Sequence, residues 1–304
     1  MDKTKRKNIL KLCFKLTFTI AALWLVYTKV DFNAFNRIWD QANPWFFIPA
    51  LLCFTFSQLI SSFRLLYFFK NIQLPITVLY NLRLYLQGMF YNIFLPGGVG
   101  GDGYKIVILS KQFRNNSRSV FTAIFLDRVS GAWALSFCII VFGTLVEAAP
   151  GFRTIVITAY IAATVLYYFI IRFFFNKHIK RFAVVHGLAL LVQVFQTSCV
   201  FFILMALGHE GDKLPYIFIF LLSSFAILFP FTIGGLGARE IAMVWGASAL
   251  LLDKDISVSV SLCFYIIAAL FSLSGSIFIF SKHPARPPLT ENKTEVDASL
   301  ELMR

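Results

Sequence analysis

Ionisable side chains within long apolar stretches are the feature of this sequence that could support chemistry. Such groups cost several kcal/mol in a bilayer and are usually functional there. The three carboxylates among them are too few and too scattered to indicate a catalytic site. The cations among them could instead bind an anionic ligand. The residues of this kind are Arg64, Arg83, Asp102, Lys105, Asp127, Arg128, Arg239 and Glu240.

Two Pro- and Gly-rich stretches each lie shortly before one of these cations. Helices that begin after such turns present free N–H groups and a positive dipole end to a ligand, and glycine lets that ligand approach the backbone closely. Lys105 and Arg239 fall at the start of the two helices, so we predict that they hold an anion, with phosphate as the best fit. The turn residues are Pro96, Gly97, Gly98, Gly100 and Gly101 in the first stretch, and Pro230, Gly234, Gly235 and Gly237 in the second.

The remaining ionisable residues are predicted to surround this anion. Three arginines would extend a basic path to either membrane surface, namely Arg64, Arg83 and Arg128. Three carboxylates would balance the charge, or bind a cationic head group or a coupling proton, namely Asp102, Asp127 and Glu240.

An alternative interpretation is that these residues only pair with one another. Asp127 would pair with an arginine, and Glu240 with Lys105 or Arg239, in structural ion pairs that lock the two hairpins. A separate alternative for Arg64 is that it only reaches the cytoplasmic surface along its own aliphatic chain.

The composition places these residues in a membrane protein. The 304 residues are 58% hydrophobic and 14% charged, against about 45–50% and about 25% in a soluble domain. A water-soluble enzyme is thereby excluded, and we predict an all-α polytopic membrane protein. Six segments are long enough to cross a bilayer. They are 9–28, 45–66, 119–146, 155–175, 183–207 and 256–281.

Two further apolar segments, 74–110 and 215–252, are broken in the middle and are predicted to be re-entrant helical hairpins. Their motifs align at an offset of 134 residues, from Pro96 to Pro230, and the same offset superposes the flanking spans. We predict an inverted repeat with halves at about 45–146 and 183–281, joined by one linking span, which is an arrangement typical of transporters.

Charge distribution predicts the orientation of the chain. Most of the 28 Lys and Arg residues fall on one predicted side of the membrane, and this side is normally cytoplasmic. Both termini are therefore predicted to be cytoplasmic, and the polar tail 282–304 is predicted to be disordered.

No cofactor and no metal are predicted. The five cysteines and four histidines show no metal-ligand spacing, and the histidines are expected to be solvated or interfacial. Gly98–Gly103 matches the spacing of a dinucleotide-binding loop, but no strand precedes it, as that site would require.

The motifs resemble those of the lysylphosphatidylglycerol synthase transmembrane family, also called flippase-like. The resemblance rests on 95–111, on the pair Asp127 and Arg128, and on 230–240, and it extends over about residues 9–281, which we take as one transmembrane domain. Lys105 stands where the family often has Arg. The resemblance implies movement of a lipid across the bacterial inner membrane, without the cytosolic aminoacyl-transferase domain of the best-understood members.

We therefore predict that the chain is not an enzyme but flips an anionic or zwitterionic phospholipid, or a lipid-linked precursor, between the leaflets of the inner membrane. One alternative is a membrane-embedded transferase that acts on a lipid-linked substrate. Another is a non-transporting accessory protein of envelope lipid synthesis. The predicted partners are the lipid and the membrane, with a homo-oligomer or an envelope-synthesis enzyme as further candidates, and no nucleic acid.

Overall fold

The chain folds into helices joined by short turns. A computed structural model describes residues 42–94, 100–113, 117–146, 150–226 and 238–280. Within these ranges there is no strand, so the predicted all-α class is confirmed.

We number the helices of the described ranges in chain order. The bounds are α1 Phe47–Asn71, α2 Val78–Phe94, α3 Gly100–Phe113, α4 Ser117–Leu145, α5 Pro150–Phe174, α6 Asn176–Ile179, α7 Phe182–Ala206, α8 Leu214–Ala226, α9 Ala238–Ala249, α10 Lys254–Leu273 and α11 Gly275–Phe280. A single 3-10 turn, Pro44–Phe46, leads into α1.

Five stretches of the described chain are long and apolar enough to cross a membrane, and they coincide with five of the six predicted spans. They are Pro44–Asn71, Ser117–Leu145, Arg153–Phe174, Phe182–Ala206 and Lys254–Phe278. The remaining predicted span, 9–28, lies outside the described residues, as does the tail 282–304. Each predicted broken segment contains two shorter helices, α2 with α3 and α8 with α9.

Helix ends follow local sequence signals. The side chain of Asp253 accepts hydrogen bonds from the backbone N–H groups of Asp255 and Ile256 and so caps the start of α10. α1 ends at Asn71 because Gln73 adopts a φ of 58°, a left-handed conformation that does not continue a helix.

Four helices of the first half recur in the same order in the second half. Shifting α1, α2, α3 and α4 by 134 residues brings each start within four residues of the start of α7, α8, α9 and α10. Packing follows the same correspondence, since α1 contacts α7, α2 contacts α10, and α8 contacts α4. Under the same offset, the α2–α10 contact corresponds to the α8–α4 contact.

Most of the predicted turn residues fall between the described ranges. Gly100 and Gly101 are described and form the first turn of α3. The others lie outside the described residues, namely Pro96, Gly97, Gly98, Pro230, Gly234, Gly235 and Gly237.

Two apolar clusters hold the helices together, and α5 lies outside both for most of its length. One cluster joins α7, α8 and α10, with Phe54 of α1 and Met243 of α9. The other is built mainly from α1, α2 and α4, with Leu109 of α3. The spanning part of α5 is only 6% buried, against 33–56% for the other four spanning stretches. Its apolar residues therefore face the surroundings, as expected of a helix that links two halves within lipid.

Candidate functional site

The first pair of predicted site residues forms an ion pair between α1 and α4. Nε of Arg64 donates to Oδ1 of Asp127 at 2.7 Å, and Nη2 donates to Oδ2 at 3.3 Å. Both side chains are buried. This parallel two-bond geometry is the strong form of the arginine–carboxylate interaction. For these two residues the structure therefore shows the mutual pairing that the alternative interpretation expected.

Glycine makes room for this ion pair. Gly131 lies one turn after Asp127 on α4, and a Cβ at this position would lie 3.3 Å from Nη1 of Arg64. A larger side chain would thus press on the guanidinium. The phenol of Tyr85 on α2 lies close by and donates a hydrogen bond to Oε1 of Gln58 at 3.1 Å.

Asp102 holds two cations at the junction of α3 and α4. Nζ of Lys105 donates to Oδ1 at 3.1 Å, and Nε of Arg128 donates to Oδ2. Nζ of Lys105 also lies 4.9 Å from the ring centroid of Tyr85, within range of a cation–π interaction. The three charged groups together carry one net positive charge.

A close approach of α2 and α3 positions Lys105. A Cβ added to Gly101 would overlap the backbone carbonyl of Gly88, and a Cβ added to Gly88 would lie 2.5 Å from Cε of Lys105. The backbone N–H of Gly101 donates to Oδ1 of Asn92 at 2.7 Å. Gly101 is therefore a helix-contact residue, and one N–H at the start of α3 already has a partner.

Arg239 lies between two aromatic rings near the start of α9. Its guanidinium carbon is 4.7 Å from the ring centroid of Phe220 on α8 and 4.8 Å from that of Phe264 on α10. Nη2 donates a long hydrogen bond of 3.4 Å to Oγ of Ser224. Nε is buried and has no hydrogen-bond partner among the described residues.

Glu240, the next residue, accepts a hydrogen bond of 2.9 Å from Oγ of Ser261 on α10. The offset of 134 residues relates Lys105 to Arg239 and Asp127 to Ser261. The two predicted halves thus share a cation after a glycine-rich stretch of sequence but differ in what faces it. Lys105 faces Asp102, while none of the ion pairs found among the described residues includes Arg239.

Arg83 belongs to neither cluster. It lies on α2 with its guanidinium carbon 5.8 Å from the ring centroid of Phe278 on α11, and its Nε has no hydrogen-bond partner in the described part of the chain. A basic path through Arg64 and Arg128 is interrupted, because Asp127 and Asp102 occupy these two guanidinium groups.

Two buried histidines correct the expectation that the histidines are solvated or interfacial. Nδ1 of His186 lies 2.7 Å from the carbonyl of Phe182, so this nitrogen carries the proton, and Nε2 accepts from the hydroxyl of Tyr167 at 3.1 Å. His178 on α6 is also buried and packs on Phe68. Tertiary packing between α1, α5 and α7 buries them. The hydrophobic pattern of the sequence does not predict this packing, because it reports on single helices.

Among the described residues, no group of three or more His, Cys, Asp or Glu side chains could hold a metal ion. Tyr85 and Gln58 are the polar neighbours of the charged clusters that the sequence did not single out. A search for buried charges alone overlooks them because neither side chain is ionised at neutral pH.

A comparison with protein families identifies one match that extends over most of the chain. The model described as the lysylphosphatidylglycerol synthase TM region matches residues 12–183 and 171–275. Neither curated proteins nor solved structures include a match to this sequence.

Proposed function

This chain belongs to the lysylphosphatidylglycerol synthase transmembrane-region family, and from this premise we propose that it moves a lipid with a phosphate-containing head group between the two leaflets of a membrane. The head group would cross between the α2–α3 and α8–α9 hairpins, while the acyl chains stay in the bilayer. An anionic or zwitterionic phospholipid and a lipid-linked precursor both fit this description.

The environment of Arg239 is the observation that carries the proposal. A buried cation without an ion-pair partner is costly, and contacts with aromatic rings recover only part of that cost, about 2 kcal/mol for a desolvated pair. Phe220 and Phe264 cover the guanidinium, and no ion pair among the described residues includes it. Glu240 acts on this guanidinium from the next position in the chain, and a phosphate that hydrogen-bonds to the edge of the guanidinium would place a negative charge in direct contact with it.

Charge in the first half supports the same interpretation. The cluster of Asp102, Lys105 and Arg128 keeps one net positive charge, and it lies at the position that the offset relates to Arg239. Two related positions that each hold a cation, one in each half, give a phosphate successive sites of similar chemistry.

The repeated halves support passage between leaflets. A single linking span, α5, separates α1–α4 from α7–α10, and an odd number of crossings between two copies gives them opposite orientations. Inverted repeats with broken helices that meet near the midplane are the architecture of alternating-access transporters. On this basis we divide the transmembrane domain into halves at about 45–146 and 183–281.

We place the chain in the cytoplasmic membrane, also called the inner membrane, with both termini on the cytoplasmic side. The positive-inside rule applied to its Lys and Arg residues supports this orientation. Contact between the end of α1 and the start of α7 also supports it, since Lys70 and Arg181 both lie over the ring of Tyr67. The two cationic segments therefore lie on one side of the protein.

Proteoliposomes that contain a fluorescent phosphatidylglycerol provide the test. A membrane-impermeant reductant destroys the label in the outer leaflet, so lipid movement appears as loss of the signal that was initially protected. We expect the wild-type chain to accelerate this loss, Arg239→Ala to abolish the acceleration, and Arg239→Lys to keep part of it. Arg172→Ala is the matched control because Arg172 is exposed at the end of α5.

Equal rates for wild-type vesicles and protein-free vesicles would refute transport of that lipid. The assay is then repeated with a fluorescent phosphatidylethanolamine and a polyprenyl-phosphate analogue. If none of the three moves faster than in protein-free vesicles, the proposed function is wrong. If Arg239→Ala transports as fast as the wild type, the assignment of Arg239 to the phosphate is wrong.

A further inference from the structure

We propose that Tyr67, Lys70 and Arg181 form a second anion site, separate from Arg239, which binds the phosphate of an anionic lipid head group at the membrane interface. The site lies where α1 ends and α7 begins, and nothing in the proposed translocation depends on it.

One aromatic ring brings two cations together at this place. Nζ of Lys70 lies 5.9 Å from the ring centroid of Tyr67, and the guanidinium carbon of Arg181 lies 5.3 Å from the same centroid. Lys70 follows Tyr67 by three residues and therefore lies on the same face of α1. Arg181 reaches the ring from the residue immediately before α7.

These two cations have no negative partner among the described residues. No ion pair found there includes Lys70 or Arg181, and Nη1 of Arg181 is buried without a hydrogen-bond partner. Neither 64–77 nor 172–181 contains an acidic residue. Two like charges that share one ring repel each other, so an anion between them would remove the repulsion and satisfy the buried nitrogen.

The start of α7 adds donors to the same site. The first N–H groups of a helix have no partner within the helix and carry its positive dipole end. Arg181 occupies the N-cap position of this 25-residue helix, no side chain caps it, and its first turn contains no acidic residue. Free N–H groups and two cations together form an environment suited to phosphate.

The position favours a lipid over a free phosphate. Lys70 lies in the last turn of one membrane-spanning helix, and Arg181 directly precedes another. Both are thus at the level where hydrocarbon gives way to lipid head groups, and cations at this depth attract anionic lipids. His178 adds no charge here, because burial and, to a smaller extent, Lys177 lower its pKa to about 4.

Native mass spectrometry of the full-length chain, delipidated and titrated with phosphatidylglycerol, tests this site. All variants are made in the parent Arg239→Ala protein, so that lipid bound at the translocation site does not add to the measured binding. Lys70→Ala and Arg181→Ala are compared with Lys177→Ala and Lys180→Ala, which remove exposed lysines from the same cationic segment. We expect an affinity loss of about tenfold for the first two variants, as for a lost charge-assisted hydrogen bond, and little change for the controls.

Three results would overturn the proposal. Equal losses of affinity in Lys177→Ala and Lys70→Ala would show that the lipid responds to the overall surface charge and not to a specific site. Binding of phosphatidylcholine as tight as that of phosphatidylglycerol would remove the preference for an anionic lipid. Retention of inorganic phosphate alone, at the affinity of the lipid, would make the ligand a free anion. Tyr67→Phe, which keeps the ring, should bind like the parent, while Tyr67→Leu should bind like Arg181→Ala, and thermal unfolding verifies that each variant is folded.

Discussion

Arg64 and Asp127 join α1 to α4 through two parallel hydrogen bonds of 2.7 and 3.3 Å inside the protein. The next residue on α4, Arg128, points to a different partner, Asp102 of α3. Adjacent residues on a helix diverge by about 100°, so this one dipeptide connects α4 to two helices. The ion pairs therefore fix the packing of α1 and α3 on α4, and they do so next to the cation Lys105.

We expect Asp127→Asn to destabilise the protein strongly. The substitution leaves the Arg64 guanidinium buried without its counter-charge, which typically costs about 3–5 kcal/mol. The measurement is the free energy of unfolding in detergent. Replacing both partners, as in Arg64→Leu with Asp127→Leu, should recover much of the loss, because a buried ion pair and an apolar pair of similar volume often differ little in stability.

Unchanged stability of Asp127→Asn would contradict the structural role of this ion pair. A double variant that is less stable than either single variant would contradict the account of an uncompensated charge. Arg172→Ala, at an exposed residue on α5, reports the effect of removing an arginine that forms no ion pair within the described part of the chain.

Two glycines of α3 should respond in opposite ways to the same change. Gly101→Ala places a Cβ against the backbone of Gly88 and should force α2 and α3 apart, whereas Gly103→Ala meets open space. Overpacking of this kind costs about 1–3 kcal/mol, while Gly to Ala in an open helical position gains about 0.5–1 kcal/mol. Thermal unfolding of the two variants measures both effects, and equal shifts would contradict the close approach.

Burial of His178 predicts a specific dependence of stability on pH. Burial is the main cause that lowers the pKa of His178 from 6.5 to about 4. Between these two values the unfolded chain binds the proton and the folded chain does not. The contribution of neutral His178 to the free energy of unfolding is therefore fully present above pH 6.5 and decreases as the pH falls toward 4.

The measurement is the midpoint of thermal unfolding at several pH values between 7 and 4. We expect the wild type to lose more stability over this range than His178→Gln, which cannot be protonated. His209→Gln, in the turn between α7 and α8, is the matched control. Identical slopes for the wild type and His178→Gln would contradict the neutral, buried state of His178.

The all-α class and most of the membrane spans were predictable from the sequence, because long apolar stretches leave a strong signal. The division into two repeat halves stays a prediction, which rests on the offset between the sequence motifs at Pro96 and Pro230 and on the similar offset between the starts of α1–α4 and α7–α10. Hydropathy alone located five of the spans to within a few residues. The cost of a charge in the bilayer was enough to select Arg64, Asp102, and Asp127 as buried residues.

The pairing of these charges was not predictable to the same degree. Which residue of Asp127 and Arg128 faces α1 depends on the rotation of α4 about its axis, and α4 is apolar around most of its circumference. The aromatic environment of Arg239 likewise depends on contacts between α8, α9 and α10. Burial of His178 and His186 is a third case, because it results from packing between helices distant in sequence.

The lipid that remains bound to the purified chain tests the central claim most directly, namely that Arg239 holds the phosphate of the transported lipid. Native mass spectrometry of gently purified wild type, Arg239→Ala and Lys70→Ala identifies and counts this lipid. We predict that Arg239→Ala loses one phosphate-containing lipid that Lys70→Ala keeps, while any lipid bound at Tyr67, Lys70 and Arg181 remains in Arg239→Ala. The same lipid at the same occupancy in the wild type and Arg239→Ala would contradict the claim.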